Sequence, residues 1–302
     1  MPSAPADPRA PVFVVAAAML WGTTGTAQSL GPDAASSIAV GSSRNVVGAL
    51  VLVAVAVGRG RFWQGAAALP RRPLVLAAAA TAAYQLCFFG GVRLAGVAIG
   101  TVVGVGSGPV WGGLLGWFGR GERPGGRWGV ATLLAVGGAT LLATTTSDGD
   151  RVDPLGIALA LGAGLSYAAF ALWSKDLTDD HDPDLVMTWV FTVSALLLLP
   201  VGLVAGIGPL VSRGGLGMVL WLGFGSLAAS YLLFGRGIAG VAVATATTLS
   251  LAEPLTAATL GVVVLDEQLT AAAVAGMVLV FAGLALLALR PRATRRAAPP
   301  DL

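Results

Sequence analysis

Charge is what this chain has least of. Asp, Glu, Lys and Arg make up 11% of its 302 residues, where a soluble domain carries about 25%. So little charge cannot form a water-facing shell. With 56% hydrophobic residues and a mean hydropathy of +0.82, the surface is expected to face hydrocarbon instead. Cysteine and histidine are almost missing as well. The single cysteine, Cys87, lies inside an apolar segment, which excludes an intramolecular disulfide and any zinc-ligand spacing. The single histidine, His181, sits in an acidic loop, no HExxH occurs, and Ser107 has no histidine base at membrane depth. An intramembrane enzyme would have almost no residues to run on. Walker-type phosphate-loop spacing is absent, and the glycines around Gly104–Gly108 lack a strand–turn–helix context. Neither ATP-driven pumping by this chain nor dinucleotide binding is expected, and no cofactor or metal is implied.

What is there comes in long apolar blocks. Ten segments run roughly over 12–30, 36–57, 73–92, 96–119, 127–143, 155–173, 185–206, 215–234, 239–264 and 271–289. Most are near the roughly 20 residues that cross a bilayer as a helix. They break at Gly, Pro and charge clusters: Gly58 to Pro73, Gly121 to Arg127, and the acidic stretch Asp176 to Asp184. The first block follows Arg9 but outruns the apolar core of a signal peptide, and it is expected to be a retained span. The tails, 1–10 and 291–302, are rich in Pro, Ala and Arg and are expected to be disordered.

The net charge of +3 and pI near 9.6 do not point to nucleic acid, because the cations lie between the apolar blocks and at the C-terminus. With the N-terminus inside, fourteen cations fall on that side: Arg9, Arg59, Arg61, Arg71, Arg72, Arg120, Arg123, Arg127, Lys175, Arg236, Arg290, Arg292, Arg295 and Arg296. Only Arg93, Arg151 and Arg213 fall outside, and Arg44 lies within a span. This bias places both termini in the cytoplasm and supports an even number of crossings in the cytoplasmic membrane.

The chain also repeats itself. AGVAIGT from Ala95 returns as AGVAVAT from Ala239. Pro109 matches Pro254, Glu122 matches Glu267 and Gly138 matches Gly283, each 145 residues apart. A fixed offset shared by Pro, Glu and Gly across two consecutive spans marks a duplicated unit. Each unit holds five helices, so the second enters from the opposite side. The expected fold is all-α integral membrane, with ten transmembrane helices as two inverted five-helix repeats over 11–145 and 146–290.

Within the spans, glycine recurs at every fourth position of the fourth: Gly96, Gly100, Gly104, Gly108, Gly112 and Gly116. Such a face admits a neighbouring helix closely and marks a central helix. Pro109 and Pro254 sit inside the fourth and ninth spans and free the carbonyls of Val105 and Ser250. Paired kinks there suggest a midplane cavity or a hinge. Two ionisable residues lie deep, where they are costly. Arg44 is about eight residues, about 12 Å, from the outer end of its span, and Glu253 about eleven residues, about 16 Å. They could line one aqueous pocket, with Glu253 exchanging a proton, or form a fixed ion pair that braces the bundle. Trp63, Trp117, Trp128, Trp173 and Trp221 lie near the expected interfaces as anchors. Trp21, Trp111, Tyr84 with Gln85, and Tyr231 lie nearer span centres, where contact with substrate and core packing are both open.

These features together resemble the drug/metabolite transporter superfamily, in its ten-helix branch with two EamA-type repeats. The resemblance rests on LWGTTGT at Leu20–Thr26, on Arg44, and on Pro109…Glu122 recurring as Pro254…Glu267 before a Gly-containing span. It covers about Val12 to Leu289. It implies a central cavity, alternating access, and small organic solutes (amino acids, related metabolites or drugs), often exported. Trp21, Arg44 and the two prolines fall on the family pattern. Glu253 does not, since its repeat counterpart is Gly108, so a coupling role rests on its burial alone. Glu122 and Glu267 are expected to cap helices or fix loops. The expected partners are a small-molecule substrate, the lipid bilayer and protons as a coupling ion. The competing reading, a lipid-linked substrate translocator or a non-transporting scaffold, has only Arg44 as a cation within the core.

Overall fold

A bilayer core offers no hydrogen-bond partner to a peptide group, so each crossing must satisfy its own backbone. The computed structural model describes residues 7–95, 97–144, 153–265 and 270–288, and among these residues it does so with helices and without a strand. Gly96, Arg151, Glu267, Arg290, Arg292, Arg295 and Arg296 lie outside the described residues, as do residues 1–6 and 291–302 of the tails.

The first half runs α1 (Ala10–Ser29), α2 (Ser37–Gly58), a short α3 (Phe62–Ala68), α4 (Arg71–Ala95), α5 (Val97–Arg120) and α6 (Gly126–Thr144). The second runs α7 (Pro154–Thr178), α8 (Pro183–Ala205), α9 (Arg213–Gly223) continued through Phe224–Ala229 into α10 (Ser230–Ala239), α11 (Val243–Leu249), α12 (Ala252–Leu265) and α13 (Ala271–Ala288). Counting α9–α10 and α11–α12 as one crossing each, the chain crosses ten times. Their starts and stops have local causes. Asp182 caps α8 by accepting from the amides of Asp184 and Leu185, with Pro183 pre-set at the first helical position. Gly60 and Gly121 take φ of +67° just beyond helix ends, a conformation that side chains rarely adopt. The stretch from Gly58 to Pro73, read in the sequence only as a break, carries the additional helix α3.

The 145-residue offset maps α1 onto α7, α2 onto α8, α4 onto α9–α10, α5 onto α11–α12, and α6 onto α13. Packing follows the same operation. Helix α7 lies against α4 and α5, and α1 lies against their counterparts. The pairs α2·α8, α5·α11 and α6·α13 are each self-related. Every large interface is thus its own counterpart or one of an equivalent pair, as an internal two-fold requires.

Lipid tails are as apolar as leucine, so these contacts depend on close approach rather than on expulsion of water. The glycines of α5 show how. A spacing of four rotates slowly around the helix, and the face meets three neighbours in turn. Gly100 lies against the α4 backbone at Val92, Gly108 against the Tyr167 ring of α7, and Gly116 against the Glu122 carboxylate and Val243 of α11. Large buried side chains, among them Phe191, Phe234, Leu52, Met187 and Leu227, fill the remaining core.

The two halves part company at the expected kinks. Pro109 sits inside a continuous α5, whereas Pro254 lies just after a break: α11 ends at Leu249 and α12 restarts at Ala252. The Ser250 carbonyl freed by Pro254 accepts instead from the Glu253 amide at 3.0 Å. A second irregularity, one π-type turn over Phe224–Ala229, has no counterpart in the continuous α4.

Candidate functional site

All three tyrosines of the chain face one cavity of about 100 Å³ between the halves. Its wall also carries Trp21, Thr24 and Gln28 from α1, Arg44 from α2, Gln85, Phe88 and Phe89 from α4, Gly104 and Val105 from α5, and Thr247, Ser250 and Glu253 from the broken ninth crossing. Six of the seven residues read as substrate candidates therefore meet: Trp21, Arg44, Tyr84, Gln85, Tyr231 and Glu253. Trp111 stands apart. It lies two helical turns past Gly104, about 10 Å deeper, and its buried indole N–H has no hydrogen-bond partner. The carbonyl positions freed by the prolines, Val105 and Ser250, both belong to residues of the wall.

The LWGTTGT stretch builds one side of the cavity. A Cβ on Gly22 would stand 2.6 Å from the Glu253 carbonyl oxygen and 2.6 Å from Thr256 Cβ, so its absence lets α1 and α12 touch beside Glu253. Trp21 is 5% exposed and donates its indole N–H to Ser230 Oγ at 2.9 Å. Thr24 exchanges a hydroxyl hydrogen bond with Ser226 at 2.8 Å. Ser226 lies in the π-type turn and Ser230 directly follows it, so that irregular turn supplies the partners that fix α1. Tyr231 and Tyr167 pack on Trp21 with ring centroids 5.0 and 6.2 Å away. Behind them Phe170, Phe191 and Phe234 close an aromatic floor.

Two charges face this space without meeting. Arg44 donates only a long 3.4 Å bond to Thr24 Oγ1, and its buried Nε has no partner. No Arg44–Glu253 contact falls within 4.0 Å, and the Glu253 carboxylate accepts no hydrogen bond among the described residues. The fixed ion pair entertained from the sequence does not form. Among groups the sequence reading missed, Tyr167 gives its hydroxyl a 2.5 Å hydrogen bond with Ser250 at the helix break. The signal was available: Tyr167 is the repeat counterpart of Gly22, and it packs on Gly108, the counterpart of Glu253. Trp128, expected as an interfacial anchor, instead donates to the Ala244 carbonyl and Thr248 Oγ1 and ties α6 to α11.

No cluster of three or more His, Cys, Asp or Glu side chains able to hold a metal occurs among the described residues. The cavity wall combines opposite charges, hydroxyls and aromatic faces.

Comparison with known proteins agrees with this architecture. The EamA-like transporter family profile matches the chain twice, over residues 9–144 and 154–289. A Bacillus subtilis (strain 168) protein named as the uncharacterized transporter YwfM is 40% identical over 288 residues, covering 95% of this chain and 96% of the relative. An uncharacterized transporter of Archaeoglobus fulgidus is 32% identical over 129 residues, 42% of this chain and 46% of its own. A crystal structure with 19% identity superposes with a TM-score of 0.80 over 92% of this chain and 95% of the other, which speaks to the fold. With two matched repeats and a full-length relative, the chain belongs to the EamA-like transporter family and is a multi-pass membrane transporter.

Proposed function

We propose that the central cavity is the substrate site of a secondary transporter for small organic solutes, working by alternating access between the halves 11–145 and 146–290. The observation that carries this reading is that Arg44 and Glu253 face one aromatic-walled space with no ion pair to any described residue, the buried Arg44 Nε being without a hydrogen-bond partner. An unpaired buried charge is costly, and a ligand carrying the opposite charge offsets that cost. A solute with both a carboxylate and an ammonium group would satisfy both. Of the classes the resemblance implies, an amino acid or an amino-acid-like metabolite is therefore favoured over an uncharged drug. The cation bias supports both termini in the cytoplasm, and export across the cytoplasmic membrane is the direction proposed from the family resemblance.

Proton coupling follows from the same carboxylate. If Glu253 holds either a proton or the solute's ammonium group, but not both, proton entry and solute exit become alternatives at one site. Counterflow in proteoliposomes tests the substrate class. Zwitterions are expected to exchange at least tenfold faster than their deaminated or decarboxylated analogues, and equal rates for all three would overturn it. Glu253→Gln is expected to keep solute exchange at reduced affinity while losing accumulation driven by a pH gradient. Undiminished pH-driven accumulation in that variant removes the coupling role.

A further inference from the structure

The face of the bundle from which α1 starts, here the N face, carries all seven ion pairs formed among the described residues. Among the described residues the far face carries Asp33, Arg93, Asp153 and Arg213, and none of them forms an ion pair with another described residue. The cavity shares this bias. It reaches Gln28 in the last turns of α1 toward the far face, while the aromatic floor lies between it and the N face.

One cluster on the N face forms a closed circuit around the turn that joins α10 to α11. Glu122 Oε2 accepts from the Val243 amide at 2.9 Å, placing a carboxylate on the N-terminus of α11. Glu122 Oε1 lies 3.1 Å from Arg120 Nε, and the two remaining nitrogens of that guanidinium pair with Asp176 in the last turn of α7 and Asp179 just beyond its end. Asp179 continues to Lys175 at 3.6 Å, and the buried Lys175 ammonium donates to the Ile238 carbonyl at 3.1 Å at the end of α10. Each charge suits the helix end it meets, an anion at an N-terminus and a cation at a C-terminus. Arg120 is the hub, with three carboxylate partners from both halves. The clamped turn leads directly into α11 and α12, which bring Thr247, Ser250 and Glu253 to the cavity. A second cluster flanks it: Arg59 and Arg236 share Asp184, and Arg61 pairs with Asp182.

In an inverted repeat, opening one mouth and closing the other exchanges the roles of the two halves, so a symmetric chain would carry a matching cluster on the far face. Among the described residues the far face carries no such cluster. The 145-residue offset takes Arg120 to Leu265, Lys175 to Leu30, Asp176 to Gly31, Asp179 to Ala34 and Asp184 to Ala39, while Glu122 alone keeps a charged counterpart, Glu267, which lies outside the described residues. Isolated surface pairs are worth little, but a partly buried network around one guanidinium is the case in which they count. We propose that the Glu122–Arg120–Asp176/Asp179–Lys175 circuit is a one-sided latch that holds the N-face mouth shut and makes the far-facing state the resting state. The proposal rests on the alternating-access reading above.

Side-specific labelling tests it without requiring a known solute. In a Cys87→Ala background, Gln28→Cys reports the far mouth and Thr247→Cys the floor side of the cavity. A membrane-impermeant maleimide is applied to right-side-out and inside-out vesicles. Gln28→Cys is expected to label readily from the far side, and Thr247→Cys to be protected from the N side. Adding Arg120→Gln should raise N-side labelling of Thr247→Cys about tenfold and lower far-side labelling of Gln28→Cys. Glu122→Gln keeps an acceptor for the Val243 amide but loses the charge, and should shift both rates the same way by less. Unchanged rates in monodisperse Arg120→Gln protein, or rates rising equally at both mouths, overturn the latch. Shifted labelling in a protein that exchanges no solute would keep the latch and remove the transport reading.

Discussion

The two halves share a backbone and divide the chemistry. At equivalent positions the first half has Gly22 where the second has Tyr167, and Gly108 where the second has Glu253. Because α1 crosses α12 just as α7 crosses α5, these substitutions compensate. Gly22 meets the Glu253 backbone, and Tyr167 meets Gly108. Each crossing pairs something small with something large, so both pack, but only one presents a carboxylate to the cavity. Arg44 has Trp189 as its counterpart, and Trp189 looks outward, donating to the Phe62 carbonyl and stacking on that ring 4.6 Å away. Duplication accounts for the scaffold, while the site, the helix break before Pro254 and, Glu122 aside, the ion-pair circuit lie where the copies differ.

The largest expected effect comes from breaking that complementarity at a single methyl group. Gly22→Ala would set its Cβ against the Glu253 carbonyl, a backbone atom that yields only if α1 and α12 separate. Overpacking of this kind costs about 1–3 kcal/mol, and here it also displaces Glu253. Transport should be lost and the melting temperature of purified protein should fall. Gly108→Ala makes only an ordinary 3.4 Å contact with the Tyr167 ring, so it should melt near the parent and keep transport. Equal melting temperatures for the two variants would mean that the crossings are not complementary in this way.

A smaller effect tests where the halves do agree. A Cβ on Gly138 would lie 2.5 Å from the Gly276 carbonyl, and one on Gly283 would lie 2.6 Å from the Ala131 carbonyl. The offset carries each contact onto the other, 138 to 283 and 131 to 276. Alanine at either glycine should therefore destabilise the α6·α13 pair by a similar amount, about 1–2 kcal/mol, with little change in substrate affinity. Calorimetry on the two variants that differed by more than about half of that would break the symmetry of this interface.

These comparisons also mark what could be read in advance. Crossing number, repeat offset and the similar depths of Arg44 and Glu253 were legible, because hydropathy, periodicity and rise per residue are local quantities. The consequences of the prolines were not. Pro109 and Pro254 make the same local demand, yet only the second is accompanied by a break in the helix. The π-type turn at Phe224–Ala229 holds no proline, and its Gly225 is not distinctive among the many glycines of these spans, so its role emerges only through the hydrogen bonds from Trp21 and Thr24. The stretch Asp176–Asp184 read as an acidic loop. That its carboxylates meet Arg59, Arg61, Arg120 and Arg236 depends on which helix ends share a face.

Tyr167 provides the finest comparison, since its counterpart is a glycine with no side chain to lose. Its hydroxyl has two possible uses: bracing Ser250 at the helix break, or binding solute. Tyr167→Phe keeps the ring on Trp21 and Gly108 and removes only the oxygen. Ser250 Oγ retains its 3.0 Å bond to the Ala246 carbonyl, so no hydroxyl is orphaned and the loss should be near 1 kcal/mol. A brace predicts a melting temperature lower by a few degrees with substrate KM unchanged, because the wall at Arg44 and Glu253 stays in place. A solute contact predicts the reverse, an unchanged melting temperature and a KM raised about fivefold. The first outcome is expected, because a 2.5 Å bond to Ser250 already engages the hydroxyl.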